Sequence, residues 1–301
     1  MALNFPCAIA SAYYKEFSPE DMVTLFLRGG FCHTELAYEH AEKLLHRVRE
    51  KGSSAEREGI LFRQFCSDRG FSVLQGHLSF KPGLFSTGFL DLLKEEIELY
   101  QGMGVDHLIL HLEGGEDREQ QERENVILNS LSELLDFCRG SKTFLCIENL
   151  SRPISFTTSV QDIIRYLDQF GRDHLGICLD TGHLHLANAR GLVSQSQREF
   201  ILAAGKDLRA LHIANNDGCR DQHLLPFNAS HSIHWDVVMH ALEEIGYQGL
   251  FNLEIGGETS SVSCPFAVKQ MKISYIRDLL QYMLSDDFLF WQGNVKNAVL
   301  I

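Results

Sequence analysis

Eight short apolar runs separated by amphipathic stretches constrain this chain more than any other feature. The runs are "PCAIASA" (6–12), "FCHTEL" (31–36), "FSVLQGHL" (71–78), "DHLILHLEG" (106–114), "TFLCIEN" (143–149), "LGICLDTGH" (175–183), "LRALHIANN" (208–216) and "LFNLEIG" (250–256). The stretches between them carry helix signals. "SPEDMVTLFLRGG" opens with Ser-Pro-Glu and stops at Gly-Gly. "SVQDIIRYLDQFG" places Val160, Ile163, Ile164 and Leu167 at helical spacing, and "HWDVVMHALEEIGYQG" does the same with Val237, Val238, Ala241, Leu242 and Ile245. "FAVKQMKISYIRDLLQYM" closes the series. Strands alternating with helices demand parallel pairing through helical crossovers. Eight such units in 301 residues match the size of a (β/α)8 barrel, read as a single domain over 1–301 with an aromatic tail at 285–301. A doubly wound open sheet is the competing architecture, but no G-x-G-x-x-G follows the first run.

Composition narrows the function classes. Hydrophobic residues make up 45% of the chain, enough for a sizeable core. No apolar run approaches the ~18 residues of a membrane-spanning helix, so no membrane role is expected. The opening "MALNFPCAIASAYYKEFSPED" lacks a basic segment followed by a long apolar one, which argues against a signal peptide and for a cytoplasmic location. A formal net charge of −13 disfavours a broad grip on nucleic acid or anionic membrane. None of the eight cysteines forms a C-x-x-C pair, and several lie inside apolar runs, so they read as buried thiols, not a disulfide framework.

In a barrel the C-terminal ends of the strands open on one mouth, so polar residues at strand ends converge there. The second run ends at Glu35, the third offers His77, the fourth His111 and the fifth Glu148. The sixth gives Asp180 and then His183. The seventh gives His212, with Asp221 and His223 in the loop behind it, and the eighth gives Glu254. Glu148, Asp180, His212 and Glu254 form a four-ligand set from four successive strands, a mixture suited to one divalent ion such as Mn²⁺, Mg²⁺, Co²⁺ or Zn²⁺. Without an ion, three carboxylates at one mouth would raise one another's pKa. For His77 and His111 a substrate contact and plain packing compete with a metal role. For Asp221 and His223 the competing reading is a salt bridge within the loop. Asp180 also fits a helix N-cap, His185 reads as structural, and the acidic run 113–125 reads as a helix start with a solvated face.

"CIEN", "LDTGH", "LHIANND" and "LEIG" together resemble the xylose-isomerase-like TIM barrels, most clearly over 104–258. That family includes sugar isomerases and epimerases, inosose dehydratases and, as a distant branch, the apurinic endonucleases. The resemblance implies that Glu148, Asp180, His212 and Glu254 bind metal, that Glu148 and Glu254 form the acid/base pair, and that His183 binds a substrate oxygen. Arg152 occupies a place where some epimerases carry an arginine. The ketose 3-epimerases have an arginine where this chain has Gly218, with Arg220 nearby. His77, His111, Arg152, Asp221 and His223 are expected to contact substrate. The endonuclease branch binds three zinc ions through nine ligands, and all nine types occur here: His77, His111, Glu148, Asp180, His183, His212, Asp221, His223 and Glu254. The net charge of −13 and the lack of basic, aromatic loops argue against a nucleic-acid substrate.

The expected protein is a metal-dependent isomerase or epimerase acting on a carbohydrate by proton transfer through an enediolate. The same residues would serve a lyase or dehydratase on a keto-sugar or inosose. A sugar-binding protein without catalysis is the bland alternative, and the paired glutamates argue against it. The aromatic tail is expected to be either a homo-oligomer contact or a strap over the core.

Overall fold

The computed structural model describes residues 5–229, 232–258 and 265–288. All eight apolar runs contain a strand: β1 (Cys7–Ile9), β2 (His33–Leu36), β3 (Ser72–His77), β4 (His107–Leu110), β5 (Phe144–Glu148), β6 (Leu175–Asp180), β7 (Leu208–His212) and β8 (Phe251–Leu253). The helices are α1 (Pro19–Arg28), α2 (Tyr38–Lys51), α3 (Ala55–Ser67), α4 (Phe89–Met103), α5 (Gln120–Cys138), α6 (Val160–Phe170), α7 (Thr181–Ala189), α8 (Gln197–Ala204), α9 (Trp235–Glu244) and α10 (Phe266–Met283). None of the described helices is long and apolar enough to cross a membrane.

Local chemistry sets the helix ends. Ser18 caps α1 by accepting from the Asp21 amide, with Pro19 in the first turn. Ser159 and Asp162 close a reciprocal capping box on α6. The α3 and α4 helices pack through glycines: a Cβ on Gly59 would lie 2.1 Å from the Leu99 carbonyl oxygen, and one on Gly102 would lie 2.1 Å from that of Glu56.

The strands are all parallel. β2 to β7 form one curled six-stranded sheet in chain order, and β1 pairs with β8 in a second sheet. The two sheets touch at both ends. The Ile213 amide donates to the Asn252 carbonyl (2.8 Å) and the Glu254 amide to the Ile213 carbonyl (3.1 Å), joining β7 to β8. Between β1 and β2 the link is a side chain: Thr34 Oγ1 donates to the Ile9 carbonyl at 2.8 Å. The eight-stranded ring expected from sequence is thus a six-stranded ladder plus a two-stranded one. The reason is local: β1 and β8 are each three residues long, too short to extend a ladder on both edges.

Side chains alternate across a strand with period two. On the inner face Ile109, Cys146, Cys178 and Ala210 make a small, fully buried cluster, with Phe144 packed against it. Two residues further along the same four segments stand His111, Glu148, Asp180 and His212. The apolar cluster is therefore the floor beneath the polar layer. Burial pushes the Cys146 thiol up to about 12, so it is an inert floor residue. Cys66 and Cys138 are also buried, whereas Cys32 and Cys219 are exposed and Cys264 lies outside the described residues. Of the aromatic tail, only 285–288 are described; Phe288 is buried against Tyr282 and Phe227.

Candidate functional site

Glu148, at the end of β5, is the centre of the polar layer, with its side chain only 1% exposed. His111 Nε2 donates to its Oε2 at 2.8 Å. His212 Nδ1 lies 3.2 Å from the same oxygen and His77 Nε2 3.8 Å. His183 Nδ1 lies 3.0 Å from Oε1. Glu254, after β8, approaches from the other side: its Oε2 is 3.1 Å from His212 Nδ1. Burial disfavours the Glu148 charge, but the surrounding imidazoles prevail and hold its pKa well below the usual carboxylate range.

Each histidine is anchored through one ring nitrogen and turns the other to a carboxylate. His77 Nδ1 donates to the Leu78 carbonyl (2.8 Å) and His183 Nδ1 to that of Asn149 (3.0 Å). His223 Nδ1 donates to the Glu254 carbonyl at 3.2 Å. Glu113 holds His111 Nδ1 at 3.2 Å, and Glu35 holds His212 Nε2 at 2.8 Å. Gln75 donates in turn to Glu35. Ligating histidines in metal sites are oriented this way, by an acceptor on the far nitrogen.

The free nitrogens then meet acceptors. His183 Nε2 and His223 Nε2 lie 3.1 and 3.2 Å from Asp221 Oδ2. Two acceptors this close need a proton or a cation between them. Burial opposes the charge of these imidazoles, but Glu148 and Glu113 push the His111 pKa up to about 9, and Glu254 and Asp221 push that of His223 up to about 10. His212 and His183 also rise well above the ordinary imidazole range, against their burial, through Glu35 and Asp180 respectively.

Among the described residues, the buried atoms without a hydrogen-bond partner include Glu148 Oε1, Asp180 Oδ2, His212 Nδ1 and Glu254 Oε2. They belong to the four residues read as a ligand set, which offer donor atoms mutually within 4.8 Å. Asp180 explains how both readings of it hold at once. Its Oδ1 caps α7 by accepting from the His183 amide at 2.6 Å, while Oδ2 is left over. Burial pushes its carboxyl up to about 7, an environment that favours a positive partner. This donor set suits a divalent ion. Four further sets among the described residues meet the same spacing, including His77 with His111 and Glu148, and His183 with Asp221 and His223.

The loop after β7 reaches the site because of a glycine. A Cβ on Gly257 would lie 1.6 Å from the Gln222 carbonyl oxygen, so only glycine lets the loop bearing Asp221 and His223 close against the segment after β8. Asp180 and His212 are fully buried in the polar layer and line neither of the two cavities above it. The cavities, about 350 and 310 Å³, have a shared wall that includes His77, Phe80, Asp221, His223 and Glu254. The first adds Glu35 and Tyr38; the second adds His111, Glu113, Glu148, Arg152, His183 and Arg190.

The structure thus brings together the nine residues His77, His111, Glu148, Asp180, His183, His212, Asp221, His223 and Glu254, and Arg152. Arg152 is half exposed and its guanidinium pairs with Glu113 (3.0 Å) and Glu116 (3.4 Å). Arg220 lines neither cavity. One expectation is corrected. The acidic run is not all helix start and solvated face: α5 begins at Gln120, and Glu113 is turned inward onto His111. The signal was the alternation itself, since Glu113 stands two residues past His111. Phe80 and Arg190 were also missed. Phe80 stacks on His111 with ring centroids 4.9 Å apart.

Comparison with known proteins agrees with this architecture. The family model described as "Xylose isomerase-like TIM barrel" matches residues 32–278. The uncharacterized protein y4fM of Sinorhizobium fredii is 28% identical over 170 residues, covering 55% of this chain. The match spans only about half (52%) of that relative's length. A probable endonuclease 4 of Persephonella marina is 20% identical over 207 residues, 65% of this chain and 69% of that protein. The crystal structure of a D-tagatose 3-epimerase-like protein superposes with a TM-score of 0.73 at 15% identity, covering 96% of this chain and 100% of that one. At that identity the likeness is one of fold.

Proposed function

This chain belongs to the xylose isomerase-like TIM barrel family, and from that premise we propose that it is a divalent-metal-dependent isomerase or epimerase of a carbohydrate, working in the cytoplasm. The same reading takes the two parallel sheets as one (β/α)8 barrel with the site at its C-terminal mouth. One observation carries it: four buried, unpartnered donor atoms from four successive strand ends, two of them on glutamates that flank a single imidazole nitrogen.

Glu148, Asp180, His212 and Glu254 would hold the ion. A bound divalent ion supplies Lewis acidity toward a carbonyl and its neighbouring hydroxyl, stabilising negative charge as the adjacent proton leaves. Glu254 lines both cavities, with its side chain 22% exposed, and would take that proton. Glu148 lines the second cavity and would hand the carbon a different proton, drawn from His111, whose Nε2 donates to it, while Glu254 releases the abstracted proton to solvent. His183 and His111 steady the substrate oxygens. With a leaving group β to the carbonyl, the same residues would give elimination and the enzyme would be a lyase.

A second reading has its own observation. Glu148 belongs both to the four-residue set and to the set with His77 and His111, and a third set stands at His183, Asp221 and His223. Fully loaded, such a site would hold several ions and suit hydrolysis of a phosphoester. Glu148 would then serve more than one ligand set, and the added positive charge would lower its basicity toward a carbon acid. The match to a probable endonuclease 4 favours this reading, while the net charge of −13 weighs against a nucleic-acid substrate.

The test is incubation of Mn²⁺-loaded protein with ketoses, aldoses, inososes and 3-keto-glycosides in D₂O. Deuterium should enter the carbon next to the carbonyl of at least one, and Glu254→Gln should abolish it. Absence of exchange across the panel, together with cleavage of a phosphoester, would replace the first reading with the second.

A further inference from the structure

The second cavity carries a cation that the proposed chemistry does not use. Two guanidiniums line it, from Arg152 after β5 and Arg190 at the end of α7. Arg152 is neutralised by Glu113 and Glu116. Arg190 is different. Its Nη1 donates to the Ser151 carbonyl at 3.0 Å and its Nη2 to the Cys219 carbonyl at 3.3 Å. Among the described residues no carboxylate pairs with it. A guanidinium has five N–H donors and no acceptor, so two carbonyl contacts leave most of it unused.

Its setting makes this notable. The wall of the same cavity carries Glu113, Glu148, Asp221 and Glu254, and an unpaired arginine beside so many carboxylates would ordinarily fold onto one. Arg190 is instead held across two loops, those following β5 and β7, by their backbone. The planar fork is therefore ordered before any ligand arrives, and an ordered fork loses less entropy on binding an oxyanion. The route between the loops is kept open by Gly218, where a Cβ would lie 3.1 Å from that of Ala189, the residue before Arg190.

We propose that Arg190 makes the second cavity an oxyanion subsite, so that the substrate is a carbohydrate bearing a phosphate or a carboxylate away from its reacting carbons. The proposal rests on the reading of this mouth as a carbohydrate site. The cavity of about 310 Å³, lined by His111, Glu148 and His183 as well as Arg190, has room for such a group beside a small sugar. Both anions present paired oxygens to the fork, which is the chemistry they share.

The test is calorimetric titration of the Mn²⁺-loaded full chain with a neutral hexose, a hexose 6-phosphate, a hexuronate and inorganic phosphate, for the natural protein, Arg190→Gln and Arg190→Lys. The readout is the ratio of anionic to neutral hexose affinity, with bound metal measured in each sample. One anionic sugar should bind about tenfold or more tighter than the neutral one, and Arg190→Gln should bring that ratio close to one at unchanged metal content. Arg190→Lys should restore part of it. Preference for the hexose phosphate assigns a phosphoryl group, and preference for the uronate assigns a carboxylate. The proposal is overturned if no anionic hexose is preferred, or if the preference survives in Arg190→Gln, which would place the anion on the ion itself or at Lys15 across the first cavity. Isotope exchange into the sugar that binds tightest is read separately. Its failure would remove the isomerase reading, whereas an affinity ratio that collapses in Arg190→Gln would still establish the oxyanion subsite.

Discussion

At the scale of single residues, Glu35 shows how a site is built by groups that touch no substrate-bearing atom. It is buried, accepts from Gln75, and holds His212 Nε2 at 2.8 Å. That contact fixes a proton on Nε2 and turns Nδ1, the nitrogen that would ligate an ion, toward Glu148 and Glu254. Losing it frees the ring to turn and lowers its basicity as a ligand. Glu35→Ala should therefore weaken divalent-ion affinity by about 10–100-fold, the range for such orienting partners. Competition titration with a chelating dye would measure it. An affinity equal to that of the natural protein would mean that His212 is oriented by packing alone.

At the scale of elements, the loop after β3 is pinned by α4. Glu96 on that helix accepts from the Ser79 amide (2.8 Å) and the Ser79 hydroxyl (2.5 Å), and the next residue, Phe80, stands in the wall of both cavities. Burial pushes the Glu96 carboxyl from 4.5 up to about 7. The folded state thus keeps a proton that the unfolded state releases, so this group's contribution to stability falls as pH rises from about 4.5 to about 7. The span amounts to about 2–4 kcal/mol at 1.36 kcal/mol per unit. Glu96→Gln should remove that slope: the urea midpoint of the variant should gain on the natural protein between pH 5 and pH 7 and run parallel above (about pH 7.5 onward). Parallel curves throughout would mean that Glu96 titrates normally. None of this was legible in the sequence, because a glutamate inside "LLKEEIELY" follows the ordinary pattern of a surface helix. The strands were legible, since each is a short apolar run, and so were the residues that end them. What escaped were contacts between loops far apart in the chain. Glu113 was hidden in an acidic run, and Arg190 at a helix end has no local signature.

At the scale of the whole molecule, four carboxylates and five imidazoles meet over one apolar floor, and their mutual charge is coupled to folding. Glu148, Asp180, Asp221 and Glu254 are brought together only in the native state, within reach of five histidines. An ion that binds the native state and not the unfolded chain must stabilise it, by about 2.7 kcal/mol at a hundred times its dissociation constant. Removing metal with a chelator should lower the unfolding midpoint, and Mn²⁺ or Zn²⁺ should restore it. Asp180→Asn keeps the Oδ1 cap on α7 but surrenders the charge at Oδ2, so its fold should survive while the ion-dependent rise disappears. The number of ions per chain, counted by native mass spectrometry, then decides what the remaining residues do. With one ion, His77→Ala and His223→Ala should leave the count at one and change substrate affinity or turnover. If the natural protein carries three ions and either variant loses one, those histidines are ligands. Glu148 then serves more than one ligand set, and the mouth belongs to hydrolysis and not to proton transfer at carbon.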